Sequence, residues 1–258
     1  MKRVIFKDEK MMMKTVIKVV LLISLGWFLA SRLLSGTLNF YIHPRFNGLT
    51  MITAVMLIII AAAYWLQKRS THDDEVEHDH DHHHDHDISW IGLALLAVPV
   101  VLGLLVEPKP LGANALGNRE VNVNPLAAVP AAGSAQFSTI ATGGKMNIVD
   151  WLYSFQRSAD PAQFNGEEAN VIGFVYRDDR FAPDMFMVSR FTISCCVADA
   201  APVGLVVEWP EAANLPDDTW VEVNGRFTAR AFNGVTMPVL IADAIAQTEA
   251  PSQPYLYQ

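Results

Sequence analysis

Three long apolar stretches dominate the first 106 residues of the chain, at residues 16–34, 49–66 and 88–106. Each has 18 or 19 residues, close to the roughly 20 that a helix needs to cross about 30 Å of hydrocarbon. The third contains Pro99 and two glycines, which membrane helices tolerate better than soluble helices do. The pattern therefore predicts a membrane domain, residues 1–106, with three transmembrane helices. A secretory signal peptide is the alternative for the first stretch.

The pattern changes after residue 144. Apolar residues recur at helical spacing from Ile148 to Phe155, and Asn147 with Asp150 three residues later predicts a capped helix start. Five short runs typical of strands follow, at residues 170–176, 185–193, 203–209, 220–229 and 238–245. This spacing indicates a small barrel. We therefore expect an α + β membrane protein whose residues 145–258 form an OB-like all-β domain with one preceding short helix; a β-sandwich is the alternative.

The placement of lysine and arginine predicts the orientation in the membrane. Five basic residues precede the first stretch, and Lys68 and Arg69 follow the second, whereas the loop between these two stretches contains Arg45 alone. We therefore expect a multi-pass protein of the plasma membrane, in contact with lipid. Its N-terminus and the loop at residues 70–87 would be cytoplasmic, and its C-terminal domain external.

The composition limits the functions of the external part. Residues 107–144 are rich in Ala, Gly, Pro and Asn, which is typical of a flexible linker. Residues 107–258 contain 9 basic and 17 acidic side chains, and this acidic balance argues against nucleic acid as a partner. The sequence contains no Walker loop, Rossmann fingerprint, nucleophile elbow or HExxH motif, so it does not predict an enzyme.

A histidine-rich loop separates the second and third apolar stretches and contains seven of the eight histidines. Neutral imidazole and carboxylate are ligands that borderline divalent ions such as zinc prefer. We therefore predict that the loop collects zinc or another divalent metal. The alternative is a solvated spacer that binds metal only in vitro. The predicted ligands are His72, His78, His80, His82, His83, His84 and His86, with Asp79, Asp81 and Asp85.

The only two cysteines are adjacent, Cys195 and Cys196, and Asp199 follows three residues later. Two cysteines exclude a disulfide framework. Neighbouring side chains of a strand face opposite sides, so we expect one thiol in the core and the other in a groove, where it binds metal or substrate together with Asp199. The alternatives are a vicinal disulfide and a purely structural pair.

The chain resembles the bacterial YcgQ-like family of predicted permease subunits over nearly its full length. The most specific part is Arg190-Phe-Thr-Ile-Ser-Cys-Cys-Val-Ala-Asp199, followed by Pro202-Val-Gly-Leu205. The resemblance implies a membrane region and a C-terminal β domain that act beside a separate multi-span permease. It also implies that Cys195, Cys196 and Asp199 are signature positions. The family's association with zinc-responsive gene sets implies a divalent metal as the cargo.

These observations together predict an accessory subunit of a membrane permease in divalent metal transport or homeostasis, with zinc as the expected metal. Two alternatives remain open. One is a membrane-anchored binding or sensory module without a transport role. The other is a thiol redox protein that uses the vicinal cysteine pair, although the chain lacks the CxxC motif at a helix N-terminus that favours such chemistry.

Overall fold

The structure is a computed structural model that describes residues 2–70, 90–116, 146–158 and 160–257. The chain divides into two compact units. The first comprises Met1–Asn39 and Pro44–Pro108, and the second comprises Phe40–His43 and Lys109–Gln258.

The first unit contains the helices α1 (Lys2–Leu34), α2 (Asn47–Ser70) and α3 (Trp90–Leu105). Among the residues that the structure describes, two segments are long and apolar enough to cross a membrane, Thr15–Leu34 and Pro44–Leu66, with mean hydropathies of 1.9 and 2.3. Only 11% of each is buried within the protein, so their large apolar side chains face outward. Such a surface is suited to lipid and unsuited to water, which fits the first two predicted spans.

Helix α3 falls within the third predicted span but is shorter than that span. Its 16 residues extend about 24 Å at 1.5 Å per residue, less than the roughly 30 Å of a typical hydrocarbon layer. Residues 88 and 89 lie outside the described residues. The helix packs against α1, where the guanidinium of Arg32 donates to the carbonyl of Gly103 and lies 5.2 Å from the centre of the Phe28 ring. A third span therefore remains a prediction at this point.

The described part of the second unit has one α-helix, α4 (Ile148–Arg157). The predicted cap is confirmed: the Asn147 side chain accepts hydrogen bonds from the backbone N–H groups of Val149 at 2.8 Å and Asp150 at 3.2 Å, and the Asp150 carboxylate accepts from Asn147 N–H at 2.9 Å. Six strands follow: β1 (Glu168–Tyr176), β2 (Met185–Ile193), β3 (Ala201–Glu208), β4 (Trp220–Phe232), β5 (Val235–Gln247) and β6 (Tyr255–Tyr257).

The five long strands close into a barrel. Strand β1 pairs with both β2 and β4, β2 with β3, and β4 with β5, all antiparallel, while β3 and β5 pair in parallel and complete the ring. The short strand β6 adds to β2 in parallel. The closed ring confirms the predicted five-stranded barrel, and the β-sandwich alternative is wrong.

Helix α4 packs its apolar face into the barrel core. The ring centroids of Trp151 and Phe227 are 4.7 Å apart, and Leu152 and Phe155 are buried. The register between β4 and β5 breaks between Asn224 and Gly225. A Cβ atom at Gly225 would lie 2.1 Å from the carbonyl oxygen of Ile241, so this approach of the two strands requires glycine.

Residues 109–116 fall within the predicted linker, yet they pack on the barrel. The side chain of Leu116 is buried, and the backbone N–H of Leu111 donates to the Tyr255 hydroxyl at 2.8 Å. The Ala113 N–H donates to the Asp218 carboxylate at 2.6 Å. The linker prediction for residues 117–144 lies outside the described residues.

Candidate metal centre

A tight turn after strand β2 contains both cysteines. The strand ends at Ile193, and a 3-10 turn occupies Val197–Asp199. The Asp199 carboxylate reaches back over the turn and accepts hydrogen bonds from the backbone N–H groups of Ser194 at 2.9 Å, Cys195 at 2.7 Å and Cys196 at 3.4 Å. An aspartate that accepts hydrogen bonds from several backbone N–H groups stabilises a turn relative to an extended strand. The chain therefore turns after Ile193 instead of continuing as a strand.

Both thiols lie outside the core. Cys195 is exposed and Cys196 is half-buried, both are free, and their Sγ atoms are 3.8 Å apart. The expectation that the two side chains face opposite sides, with one in the core, is therefore wrong. Its physical reason is that β2 stops two residues before Cys195, so the alternation of a strand no longer applies to the pair.

The turn brings three metal-ligating side chains together. The donor atoms of Cys195, Cys196 and Asp199 all lie within 4.8 Å of one another. Two thiolates bound to a tetrahedral zinc at about 2.3 Å are separated by about 3.8 Å, which matches the distance between the two Sγ atoms. The pair could thus hold a zinc-sized ion without moving apart, and Asp199 offers an oxygen ligand beside it.

The local hydrogen bonds set the protonation states of the turn. The hydrogen bond to the Asp199 carboxylate, followed by the contact with Cys196, raises the pKa of the Cys195 thiol to about 11. Desolvation acts to raise the pKa of Asp199, but the hydrogen bonds from Cys195 and from the three backbone N–H groups outweigh it and lower that pKa. At neutral pH Cys195 is therefore a protonated donor and Asp199 an ionised acceptor. A metal must displace the thiol proton in order to bind.

A second segment, Phe40–His43, lies against the turn, and we call it the strap. Ile42 forms an antiparallel bridge with Cys196. The His43 N–H donates to the Cys195 carbonyl at 2.9 Å, and the Val197 N–H donates to the Tyr41 carbonyl at 3.0 Å. The strap comes from the loop between α1 and α2, so residues far earlier in the sequence complete the surroundings of the cysteine pair.

Strand β6 supports both the strap and the turn. The Tyr255 hydroxyl donates to the Phe40 carbonyl at 3.1 Å. The ring of Tyr257 packs against the imidazole of His43 in an edge-to-face arrangement, with centroids 4.7 Å apart. These two tyrosines were not among the predicted site residues, because three residues at the end of a chain give no periodic signal.

Arg190 fastens the segment that leads into β6. Its guanidinium is buried and donates through Nε to the Pro254 carbonyl at 3.0 Å and through a terminal nitrogen to the Gln253 carbonyl. Burial lowers the pKa of this group to about 10. Arg190 is the first residue of the segment that most specifically resembles the YcgQ-like family, but the sequence alone predicted no role for it. In the structure it stabilises the segment before β6, the strand that contacts the strap.

The histidine-rich loop lies outside the described residues. Its predicted ligands, His72, His78, His80, His82, His83, His84, His86, Asp79, Asp81 and Asp85, therefore remain a prediction from sequence. The structure places Cys195, Cys196 and Asp199 together, and their role in binding remains a prediction.

Comparison with known proteins gives matches in both halves of the chain. Residues 17–122 match the DUF1980 N-terminal domain, and residues 145–258 match the DUF1980 C-terminal domain. A Streptococcus mutans protein, named as a predicted subunit of a two-component membrane permease complex, is 23% identical over 266 residues, which cover 87% of this chain and 93% of that protein. The UPF0703 protein YcgQ of Bacillus subtilis is 28% identical over 100 residues, which cover 38% of this chain and 35% of that protein.

Among solved structures, OBody AM2EP06 bound to hen egg-white lysozyme is 20% identical and has a TM-score of 0.22, covering 33% of this chain and 82% of that one. This score is too low to support the fold, which is established here by the strand pairing. The two domain matches follow each other along the chain, and the relatives found by sequence include YcgQ itself. The chain therefore belongs to the YcgQ-like family, with a DUF1980 N-terminal domain at residues 17–122 and a DUF1980 C-terminal domain at residues 145–258.

Proposed function

We propose that this chain is an accessory subunit of a membrane permease complex and that a separate multi-span protein is its partner. The observation that carries the proposal is the alignment with the Streptococcus mutans protein over 93% of that protein's length, since its name describes such a subunit. The three apolar stretches of this chain contain no Asp, Glu, His or Cys. Polar groups inside a membrane usually mark an ion path, so the path for the cargo would lie in the partner.

The strap supports a three-span topology. If α1 and α2 both cross the membrane, residues 35–46 emerge on one face and Ser70 lies at the opposite face. The strap pairs with the barrel, so the barrel must be on the same face as residues 35–46. The chain must then cross once more between Ser70 and residue 109, and residues 88–106 form the only apolar stretch there. A short helix such as α3 can span where the bilayer thins locally.

The distribution of basic residues completes the proposed orientation. The N-terminus and the histidine-rich loop would be cytoplasmic, and the barrel would be external. We also propose that the barrel is OB-like, because it has five strands in a closed ring. In this arrangement the chain offers metal ligands on both faces of the membrane.

We propose zinc or a similar divalent ion as the cargo. The matched spacing of the two thiols and the nearby carboxylate support a metal site on the barrel. The histidine-rich loop supports metal collection on the other face. The redox alternative is less favoured, because a Cys195 pKa of about 11 leaves little thiolate for disulfide exchange at neutral pH.

A flux experiment separates the transport role from a sensory role. We would delete the gene in a bacterium that carries this chain and measure the movement of radioactive zinc, then restore the wild type, the double variant Cys195→Ser with Cys196→Ser, or the control Ser194→Ala. The control changes an exposed neighbour in the same turn and keeps the backbone hydrogen bond to Asp199.

We expect deletion of the gene to reduce zinc flux. The wild type and the Ser194→Ala control should restore the flux, whereas the double variant should not, when the three proteins are present in the membrane at equal levels. Unchanged flux after deletion would contradict a transport role and favour a sensory module.

A further inference from the structure

We propose that His43 of the strap is the fourth ligand of a divalent metal centre formed with Cys195, Cys196 and Asp199. This inference rests on the proposed metal-binding function of the cysteine turn. Two sulfurs, one imidazole nitrogen and one carboxylate oxygen form a tetrahedral set suited to zinc and similar borderline ions.

The strap places His43 beside the thiols. Because Ile42 and Cys196 are paired in an antiparallel bridge, the next residue of the strap, His43, lies opposite Cys195. The backbone hydrogen bond from His43 to the Cys195 carbonyl, at 2.9 Å, holds this register. Residues opposite each other in antiparallel pairing have Cβ atoms about 4.5–5.5 Å apart, a separation that an imidazole can bridge to a shared ion.

The imidazole now packs against Tyr257, and its nitrogens are outside the group of converging donor atoms formed by Cys195, Cys196 and Asp199. Reaching the ion requires rotation about the side-chain bonds of His43, which is half-buried. The backbone of the strap can stay in place during this rotation. Rotamer changes of this kind are fast compared with backbone rearrangement.

The chemistry of binding is balanced without any further reactant. Each thiol gives up its proton to solvent and binds the ion as a thiolate, Asp199 binds as the carboxylate that it already is, and His43 binds through the lone pair of a neutral imidazole. The carboxylate accepts three backbone hydrogen bonds and one from the Cys195 thiol. A carboxylate has about four lone-pair sites, so the site that Cys195 vacates when its thiol loses the proton becomes available to the metal.

A functional consequence follows from the origin of the ligands. Three come from the barrel, and the fourth comes from the loop that joins the two candidate membrane spans. A bound ion would therefore add a metal-dependent link between this loop and the barrel, in addition to the backbone hydrogen bonds of the strap. Metal occupancy could in this way be transmitted to the membrane helices.

The experiment uses the full chain in detergent micelles with the seven histidines of the loop replaced by asparagine. His43 is then the only histidine, because the chain has eight in total. We would label histidine with an NMR-active nitrogen isotope and titrate with NMR-active cadmium, which replaces zinc at thiolate sites. Thiolate-to-cadmium absorption reports the cysteines, and nitrogen–cadmium coupling reports the imidazole.

We expect one cadmium ion per chain, thiolate absorption, and splitting of a His43 nitrogen resonance by the metal. His43→Ala should weaken cadmium binding at least about tenfold, since even outer-shell partners contribute that much. Tyr41→Ala is the matched control, because it alters an exposed side chain of the strap and leaves the backbone pairing; its affinity should stay within about twofold of the wild type.

Thiolate absorption with an unchanged imidazole resonance would overturn the role of His43 and leave the cysteine site intact. Absence of thiolate absorption would overturn both the cysteine site and its fourth ligand.

Discussion

Zinc binding at the cysteine turn should release protons and strengthen as the pH rises. The raised pKa of Cys195, about 11, means that the folded protein holds this proton tightly throughout the neutral range. Metal and proton compete for the same sulfur, so each proton released changes the apparent association constant on the order of tenfold per pH unit. Between about pH 6 and about pH 8, Cys195 alone should therefore strengthen zinc binding on the order of a hundredfold. The gain should end only as the pH passes about 11.

The assay is titration calorimetry on the full chain in detergent, with the seven histidines of the loop replaced so that they do not bind zinc. Measurements at one pH in buffers of different protonation enthalpy give the number of protons released. We expect at least one proton from the wild type and one fewer from Cys195→Ser. Zinc binding without proton release, and with an affinity that stays flat over this pH range, would refute the thiolate site.

Three further predictions concern the cysteine turn, the support of β6 and the topology. Asp199→Asn weakens the hydrogen bond from Cys195 and removes the negative charge beside it, both of which raise the pKa of Cys195. A pH titration of thiolate absorbance should therefore show thiolate at lower pH than in the wild type; an unchanged titration would assign the shift to another cause. Arg190→Leu leaves the Pro254 and Gln253 carbonyls without their donor and should lower the free energy of unfolding by roughly 1–3 kcal/mol. The exposed control Arg230→Leu should change the free energy of unfolding by less than about 0.5 kcal/mol. Equal effects of the two substitutions would contradict the role of Arg190. A reporter fused to the C-terminus should behave as exported and one inserted near residue 74 as cytosolic, and reversal at either site would contradict the topology.

The sequence predicts the barrel well because its signals are local. The helix α4 has an apolar face of period 3.6 and a capping pair at Asn147 and Asp150, and both appear in the structure. Strand β2 begins and ends at the predicted residues, Met185 and Ile193. Alternation and turn residues act over a few positions, so one sequence contains enough information to place such elements.

The geometry of the cysteine turn was not predictable in the same way. The alternation rule assumes that the strand continues, whereas the Asp199 carboxylate ends it by accepting three backbone hydrogen bonds. This interaction is local, but unlike a helix or a strand it produces no periodic pattern of apolar residues from which it could be predicted. The sequence predicted one thiol beside Asp199 and the other in the core, whereas the structure brings the donor atoms of both thiols and of Asp199 within 4.8 Å of one another.

The strap was missed for a different reason. It has four residues and one bridge, and its partner is far away in the sequence. Pairing between segments so far apart in the sequence depends on the fold of the residues between them. The local strand propensity of residues 40–43 therefore does not predict it. The pairing of the strap is what brings His43 beside Cys195.

Affinity purification of the tagged chain from native membranes, with mass spectrometry of the proteins and elemental analysis of the metal, would show whether this chain is an accessory permease subunit. We expect a multi-span membrane protein to copurify with the wild type together with zinc or a similar divalent ion. The double variant Cys195→Ser with Cys196→Ser should retain this partner and lose the metal that the barrel holds. Purification of the chain without any multi-span partner, under conditions that keep it folded, would rule out the role of an accessory permease subunit.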